Sequence, residues 1–452
     1  MRGLSSAQVA GLAVLAIGVN LDATLVGHLL SVAAAAVFTF IAFWRFLLVG
    51  LTLQPAAKPP EPERFPLYTI VAALHDEAEV VGQLVRRLAA IDYPADRLQG
   101  FLVLEADDAA TIAAAEATRR PDWLAVLIAP AGEPRTKPRA LNHALSQATG
   151  ELLTVYDAED APDAGQLREA AARFASDRSG RLACLQAPLR IRARVSGTTS
   201  PFIDRQFAAE YAALFEVILP GLARLGLPFP LGGTSNHFRT GVLRQVGGWD
   251  AWNVTEDADL GFRLWCEGWR AGVITRPTWE TPPGDFAHWL PQRTRWLKGY
   301  LQTWGVHTRR PWRLGWRGLF ALAMTIGVTL LSAAIHAIAT AWMTAAVLVA
   351  AMAGLWPQVP KFSVGVMLLG ALSAWLVCAM GAKRSGLAYG PMQMMAAPAY
   401  WSLLSLAFAH AFWRLIREPF AWDKTSHRSD PLDEAAPDGL SAPHAAAPEP
   451  VS

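Results

Sequence analysis

The chain has 452 residues, of which 52% are hydrophobic, and a positive mean hydropathy of +0.23. This composition is too apolar for a wholly soluble protein. The formal net charge of +2 excludes the bulk basicity typical of nucleic-acid binding, and three widely spaced cysteines exclude a disulfide framework or a zinc site.

The N-terminal region contains two apolar runs, at residues 8–19 and 29–51. The second run is long enough to cross a bilayer, whereas the first is marginal. We interpret residues 1–54 as a transmembrane hairpin. Residues 55–66, which are rich in proline and glutamate, predict a stiff polar linker to the next domain.

From Leu67 onward, short apolar strands alternate with helical patterns. The predicted strands are Tyr68–Leu74, Phe101–Glu105, Ala125–Ile128 and Leu152–Tyr156. The predicted helices are Val80–Ala90, Ala109–Arg120, Pro138–Ala148 and Gly165–Ala175. This alternation predicts a mostly parallel sheet covered by helices, with ligands beyond the carboxyl ends of the strands.

Acidic residues follow the fourth predicted strand, in the sequence Asp157-Ala158-Glu159-Asp160. Carboxylate oxygens at this position suit a hard divalent cation that also binds a diphosphate. Either Glu159 or Asp160 could be the second ligand beside Asp157. A solvated loop between a strand and a helix is the alternative.

The densest polar motifs lie between Thr255 and Trp296. Thr255-Glu256-Asp257-Ala258-Asp259 places three carboxylates within five residues, which is costly unless they bind something or lie in water. Gln292-Arg293-Thr294-Arg295-Trp296 combines guanidinium groups, which suit phosphate oxygens, with an indole, which suits the flat face of a sugar. Together they predict group transfer from a nucleotide-activated sugar. The alternative is a charged helix start followed by a basic helix at a membrane surface.

Thr-Glu-Asp followed by Gln-x-x-Arg-Trp resembles the signature of the family 2 glycosyltransferases, which include cellulose, chitin and hyaluronan synthases. The resemblance extends from about Thr69 to Trp304. It implies an α/β GT-A-type domain with a Rossmann-like mixed sheet at residues 67–310, cytoplasmic and inserted between membrane helices. The implied activity is metal-dependent, inverting hexosyl transfer from a UDP-sugar to a growing exopolysaccharide, with Asp257 as the catalytic base.

The same resemblance implies roles for further residues. Those implied to hold Mg²⁺ or Mn²⁺ are Asp157 and Glu159. Those implied to bind the nucleotide and diphosphate are His75, Glu77, Glu105, Asp107, Lys137, Gln292, Arg293 and Arg295. Those implied to bind the acceptor are Thr234, Glu256 and Trp296. Glu105 and Asp107 compete for one position, because this chain has Glu-Ala-Asp-Asp where the family has Asp-Asp-Gly.

The C-terminal region, residues 311–417, contains four predicted membrane spans. They lie at 318–335, 338–356, 363–382 and 392–416. The first two run together through His336, so they are either two helices or one long bent helix. Four spans would place Lys383 and Arg384 on the side of the membrane opposite the catalytic domain, which disagrees with their positive charge.

Residues 418–430 contain Trp-x-Lys-Thr-x-His, which resembles a C-terminal motif of bacterial exopolysaccharide-type members of the family. The resemblance implies that Lys424 and Thr425 contact the nucleotide as part of a gating segment, whereas an interfacial anchor is the alternative. Residues 431–452 lack periodicity and predict a disordered tail.

These observations predict a multi-pass protein of the bacterial cytoplasmic (inner) membrane. Its partners would be a UDP-sugar, a polysaccharide or lipid-linked acceptor and membrane lipid, with a periplasmic export partner left open. Two alternatives are a non-processive lipid-linked sugar transferase and a catalytically silent membrane receptor or secretion partner.

Overall fold

The computed structural model describes residues 23–54, 57–192, 201–354 and 361–418. Several predictions concern residues outside these ranges. They are the apolar run at 8–19, the roles of Lys424 and Thr425, and the tail at 431–452.

Within these described ranges, ten strands form two sheets. In chain order they are β1 (Tyr68–Leu74), β2 (Leu98–Glu105), β3 (Leu124–Ala129), β4 (Leu152–Tyr156), β5 (Ala161–Pro162), β6 (Leu182–Gln186), β7 (Leu189–Ile191), β8 (Asn236–Arg239), β9 (Arg270–Val273) and β10 (Thr278–Glu280). The large sheet has the order β3-β2-β1-β4-β8-β6-β9, and the small sheet has the order β5-β10-β7. In the large sheet β8 is antiparallel to both neighbours and the other pairs are parallel, so the predicted mixed α/β sheet is confirmed.

The helices surround the large sheet and continue beyond it. In chain order they are α1 (Ala23–Leu51), α2 (Val81–Ala89), α3 (Ala109–Ala117), α4 (Lys137–Gln147), α5 (Gln166–Ala175), α6 (Pro201–Ala213), α7 (Leu219–Arg224), α8 (Thr240–Gln245), α9 (Glu256–Cys266), α10 (Phe286–Thr308), α11 (Pro311–Leu322), α12 (Val328–Met352), α13 (Lys361–Ser385) and α14 (Pro391–Arg417). Single π-helical turns at Leu214–Ile218 and Ala323–Gly327 join α6 to α7 and α11 to α12.

The central strands carry apolar residues on both faces. All five residues of β4 are buried, and so are six of the seven residues of β1. Side chains that alternate along a strand point to opposite faces, so such a strand must be covered on both sides. Two hydrophobic clusters do this, one around Tyr68 and Leu84 and the other around Val71 and Phe207.

Three of the described helical segments are long and apolar enough to cross a membrane: Ser31–Leu51 in α1, Pro311–Met352, and Lys361–Ser385, which is α13. The second segment joins α11 and α12 through the π-helical turn. Residues 318–352 of the two predicted spans therefore form one long helix, because no turn residue interrupts the apolar run between the spans.

The ends of α1 and α13 lie on the same side, next to the sheet domain. Arg224 of α7 donates to the carbonyls of Leu51 and Gln54, and Arg384 of α13 donates to those of Thr52 and Glu216. The expectation that Arg384 lies on the opposite side is therefore wrong. Because two predicted spans form one helix, one crossing fewer precedes Lys383 and Arg384. These two residues then lie on the side of the sheet domain, in agreement with their positive charge.

The span predicted at 392–416 forms α14, but α14 is not among the three apolar segments. It lies between α10 of the sheet domain and α12. Thr294 of α10 and His410 lie 3.1 Å apart, and Ser405 accepts a hydrogen bond from the backbone N–H of Ala337 at 3.2 Å. The polar residues of α14 thus make contacts within the protein, and the predicted fourth span is not supported.

Candidate active site

A cavity of about 280 Å³ lies at the carboxyl ends of β1 and β4. This is the edge of the sheet at which a ligand is expected in such a fold. The sequence-predicted residues that line it are His75, Glu77, Glu105, Lys137, Asp157, Glu159, Thr234, Glu256, Asp257, Gln292, Arg295 and Trp296. Two other predicted residues, Asp107 and Arg293, do not line it.

The loop after β4 presents two carboxylates to the cavity. Asp157 forms an ion pair with Lys137, whose ammonium group also donates to the carbonyl of Gly233 at 2.8 Å. The Oε2 atom of Glu159 accepts a hydrogen bond from the hydroxyl of Thr281 at 2.8 Å. Burial lowers the pKa of Lys137, but Asp157 and Glu256 outweigh it, and the net shift is upward. Lys137 is therefore a firmly charged cation at the base of the loop.

Asp160 faces away from the cavity and supports the loop. Its Oδ2 atom accepts hydrogen bonds from the backbone N–H of Asp157 at 2.7 Å and from the hydroxyl of Thr234. It is fully buried, and burial together with Asp157 raises its pKa to about 8. The structure thus favours Glu159 over Asp160 as the second cavity-facing ligand. The hydroxyl of Thr234 donates to Asp160 while Thr234 also lines the cavity, so its predicted contact with the acceptor sugar stays a prediction.

Helix α9 begins with the predicted acidic cluster. Carboxylates in a first helical turn are stabilised by the backbone N–H groups and the helix dipole. Asp257 is partly exposed to the cavity, and its Oδ1 atom accepts a hydrogen bond from the backbone N–H of Ala258 at 2.6 Å. Burial raises the pKa of Asp257 despite that bond and despite Lys137 and Arg295. Burial and Asp257 raise the pKa of the neighbouring Glu256 to about 8.

Asp259, the third acid of the cluster, connects α9 to α10. It accepts hydrogen bonds from Nε2 of His307 at 2.9 Å and from Arg263 at 2.6 Å. Burial alone would raise the pKa of Asp259, but these two partners lower it. A Cβ at Gly299 of α10 would lie 2.4 Å from a side-chain atom of Thr255, so the close approach of the two helices requires glycine there. Both features fix the start of α9 and therefore the position of Asp257.

The face of α10 that meets the cavity carries Gln292, Arg295 and Trp296, which lie at helical spacings of three and four residues. Arg293 lies on another face. It makes two hydrogen bonds with Glu210 at 2.9 and 2.6 Å, and one with the hydroxyl of Tyr400 at 3.0 Å. The guanidinium group of Arg293 is thus paired within the protein and away from the cavity, so its ligand-binding role stays a prediction without support from this geometry.

The cavity lining also includes His75, Glu77 and Glu105. Glu105 forms an ion pair with Arg139 and is 7% exposed, whereas Asp107 pairs with Arg135 and its side chain is 58% exposed. The structure thus places Glu105, and not Asp107, at the cavity wall. His75 Nδ1 lies 3.7 Å from Asp108, which caps α3 by accepting from the N–H of Thr111.

The sequence analysis missed several residues that line the cavity. They are Arg135, Thr136, Tyr211, Leu214, Phe215, Glu280 and Tyr300. Glu280 is 9% exposed, and burial together with Asp160, Glu159 and Asp157 raises its pKa. The signal for Glu280 was weak, because it is a single acid in the stretch Thr-Trp-Glu-Thr-Pro-Pro at residues 278–283.

This mixed sheet, with a carboxylate loop after β4 and an acidic helix start beside it, defines a glycosyltransferase of the GT-A type. Residues 62–299, more than half of the chain, match the family described as glycosyltransferase like family 2. The chain therefore belongs to the family 2 glycosyltransferases, as the sequence motifs predicted.

Similar proteins are named for different products. The chain is 29% identical over 264 residues to a beta-monoglucosyldiacylglycerol synthase from Synechocystis sp., covering 56% of this chain and 52% of that protein. It is 26% identical over 262 residues to cellulose synthase 2 from Novacetimonas hansenii, covering 56% of this chain and 15% of that protein. The chain thus matches about half the length of the first relative and less of the second.

One solved structure shows the same fold. It is a mannosyltransferase from Pyrobaculum calidifontis in complex with GDP-Man and Mn²⁺, with a TM-score of 0.54 and 18% sequence identity. The match covers 85% of this chain and 96% of that one, so it includes helices beyond the sheet domain.

Proposed function

We propose that this protein is a membrane-embedded inverting glycosyltransferase that transfers a sugar from a UDP-sugar to a growing polysaccharide. One observation carries the proposal. Asp257, the carboxylate loop with Asp157 and Glu159, and the α10 face with Arg295 and Trp296 all line the same cavity. A base, a diphosphate site and a sugar-stacking indole are thus within reach of one bound substrate.

The donor set of the loop fits Mg²⁺ or Mn²⁺. Asp157 and Glu159 supply hard carboxylate oxygens, and Asp157 already pairs with the ammonium group of Lys137, so this position favours positive charge. The ion, when bound, would neutralise charge on the diphosphate. Lys137 and Arg295 would add their own charges to the same leaving group, and such electrostatic stabilisation is commonly the largest contribution to catalysis.

In the proposed reaction Asp257 removes the proton from an acceptor hydroxyl. The hydroxyl oxygen forms a bond with the anomeric carbon as the bond from that carbon to the UDP oxygen breaks. The bonding electrons leave with UDP, and the proton remains on Asp257. Attack opposite the leaving group inverts the anomeric centre, so an α-linked donor gives a β-linked product. The Oε1 atom of Gln292 is buried and has no hydrogen-bond partner among the described residues. It is available to accept a hydrogen bond from a hydroxyl group of the substrate.

A lipid acceptor is the second candidate. One side of the cavity is apolar, with Leu189, Leu214, Phe215 and Leu231. The segment that follows Leu214 packs against membrane helices, since Val217 lies in one buried cluster with Val49 of α1 and Val377 of α13. An acceptor that approaches from the membrane would meet this side. The similarity to beta-monoglucosyldiacylglycerol synthases supports the same candidate.

We further propose a multi-pass arrangement in the cytoplasmic (inner) membrane, with the sheet domain in the cytoplasm where nucleotide sugars are made. The adjacent ends of α1 and α13 support this arrangement, as does Glu418, whose carbonyl accepts from Lys298 of α10 at 3.2 Å. Two crossings after the sheet domain, one by α11 and α12 and one by α13, return the chain to the domain side.

The test is incubation of the purified full-length protein with a panel of radiolabelled UDP-sugars, followed by sizing of the products. A polymer that stays in the aqueous phase supports the polysaccharide synthase. A single sugar on a solvent-extractable lipid supports the second candidate. If the protein binds UDP but transfers no sugar from any donor, the transferase proposal fails and a catalytically silent role gains support.

The pH dependence of transfer should reflect the raised pKa of Asp257. Since a base accepts a proton only when ionised, kcat/KM should fall as the pH drops through that raised value, above the ordinary 3.8 of an aspartate. Glu256 has a pKa of about 8 and is therefore protonated over this acid limb, so Glu256→Gln should leave the limb nearly unchanged. Initial rates across a pH series would measure both. An acid limb at 3.8 in the wild-type protein would contradict the assignment.

Arg293 and Arg295 should behave differently when each is changed to alanine. Arg293→Ala should lower the free energy of unfolding by about 2 kcal/mol, less than for a fully buried pair because the Glu210 side chain is 37% exposed. Arg295→Ala should instead weaken UDP binding by about 1.5–3 kcal/mol, the contribution of a charge-assisted hydrogen bond. Denaturant unfolding and UDP titration distinguish the two effects. Equal losses of UDP affinity would return Arg293 to the diphosphate site.

Lys424 and Thr425 remain proposed nucleotide contacts. Lys424→Ala should weaken UDP binding by roughly 1.5–3 kcal/mol if its ammonium group reaches the diphosphate. Limited proteolysis should also show that UDP with Mg²⁺ suppresses cleavage near Asp423, since a gating segment is ordered by its ligand. Normal UDP affinity together with unchanged cleavage would identify the segment as a membrane anchor.

A further inference from the structure

Glu280 is a buried carboxylate in the cavity that the proposed mechanism does not use. It ends β10, whose neighbours are β5 and β7, and its backbone carbonyl accepts from the N–H of Arg192 at 2.8 Å. Its side chain lines the cavity, and the residue is only 9% exposed. Among the residues that the structure describes, no hydrogen-bond or ion-pair partner reaches this carboxylate. A buried carboxylate without a partner is costly, so a ligand group is expected to supply the hydrogen bonds.

The residues around Glu280 indicate which kind of ligand group would bind to its carboxylate. The adjacent Thr281 donates to Glu159, so Glu280 lies next to the loop proposed to hold the diphosphate cation. Tyr211 and Trp296 line the same cavity with ring centroids 6.0 Å apart. Aromatic faces suit the apolar face of a pyranose, and a carboxylate accepts hydrogen bonds from the hydroxyl groups at its rim.

We propose that Glu280 binds the hydroxyl groups of a sugar in the cavity and thereby determines which sugar is used. This inference rests on the proposed function and adds a residue to its site. The donor sugar and the acceptor sugar offer the same hydroxyl chemistry, so the experiment below separates these two sources.

A role as a third cation ligand is the main competing explanation. Among the described residues, the group of three whose ligand atoms lie within 4.8 Å of one another is His75, Asp76 and Asp108, which does not include Glu280. The carboxylates of Asp157, Glu159 and Glu280 therefore do not form a preorganised trio. Binding of sugar hydroxyl groups accounts both for the lack of a partner for the Glu280 carboxylate among the described residues and for the aromatic rings in the same cavity.

The experiment uses the purified full-length protein with Glu280→Gln, Glu280→Ala and, as the matched control, Glu116→Gln on the exposed face of α3. Thermal unfolding and UDP titration in the presence of Mn²⁺ show whether each variant is folded. UDP carries no transferred sugar, so its affinity should stay within about twofold of the wild-type value in every variant. If Glu280→Ala does not fold, Glu280→Gln, which keeps the size of the side chain, decides the question.

Transfer from the UDP-sugar that the wild-type protein uses should fall roughly tenfold to a hundredfold in the Glu280 variants, and not in Glu116→Gln. Hydrolysis of that donor without acceptor should fall equally if Glu280 holds the donor sugar, and should stay unchanged if it holds the acceptor. Either pattern supports the proposal and identifies the source of the hydroxyls.

Two results would overturn it. Unchanged transfer in both variants would remove Glu280 from the site, and a parallel loss of Mn²⁺-dependent UDP affinity would make it a cation ligand. Failure of the proposed function would look different, because the wild-type protein itself would then transfer no sugar.

Discussion

Replacing Asp257 by asparagine is expected to reduce sugar transfer by about 10²–10⁴-fold, the usual contribution of general-base catalysis. The amide keeps the size of the side chain but cannot accept the proton of the acceptor hydroxyl. UDP affinity should change little, since Asp257 acts on the acceptor and the diphosphate is assigned to Lys137, Arg295 and the carboxylate loop. Steady-state rates and UDP titration on the same preparations measure both quantities.

Asp122→Asn serves as the control, because Asp122 is exposed on the surface and does not line the cavity. It should retain wild-type transfer and UDP binding. A loss smaller than about tenfold in Asp257→Asn would remove Asp257 from the role of base. Glu256, its neighbour with a raised pKa of about 8, would then be the next residue to examine.

Removal of divalent cations is expected to abolish transfer, and added Mg²⁺ or Mn²⁺ should restore it. Asp157 and Glu159 place negative charge where the diphosphate is proposed to bind, so the two would repel each other without a cation between them. Lys137 offsets only part of this negative charge, because its single positive charge interacts with both Asp157 and Glu256. Transfer assays in EDTA, followed by titration with each ion, measure the requirement.

EDTA pre-saturated with excess Mn²⁺ controls for effects of the chelator itself. Asp157→Asn and Glu159→Gln should each raise the Mn²⁺ concentration needed for half-maximal rate. Full activity in chelator would show instead that Lys137 and Arg295 carry the diphosphate alone. In that case the ion pair between Lys137 and Asp157 would persist when the substrate binds, because no cation would compete for Asp157.

The sequence was most informative where structure is local. The strands β1 and β4 are continuous apolar runs bounded by polar residues, and such a run has few alternatives once helices flank it. Asp157 and Glu159 follow β4 directly, so the position of the strand end also fixed the position of these residues. The motif from Gln292 to Trp296 was also recognised from the sequence alone, although it did not distinguish Arg293 from Arg295.

Only the tertiary structure shows which faces of the helices pack against each other. Arg293 differs from Arg295 by two positions, and only the packing of α6 and α14 shows that it pairs with Glu210 and Tyr400, far away in the sequence. Likewise, the sequence predicted α14 as a membrane span, and only its packing against α10 and α12 shows that its polar side chains make contacts within the protein.

By itself, then, the sequence determined the family, the α/β sheet and most of the charged residues that line the cavity, because these residues lie in short motifs next to strand and helix ends. Only the tertiary structure separated Glu159 from Asp160, joined α11 and α12 into one helix and brought Glu280 into the cavity. For Glu159 and Glu280 the outcome depends on contacts between residues distant in the chain, such as Thr234 with Asp160 and Thr281 with Glu159. Hydropathy and motif spacing describe only residues that are close in the sequence, so neither could predict these distant contacts.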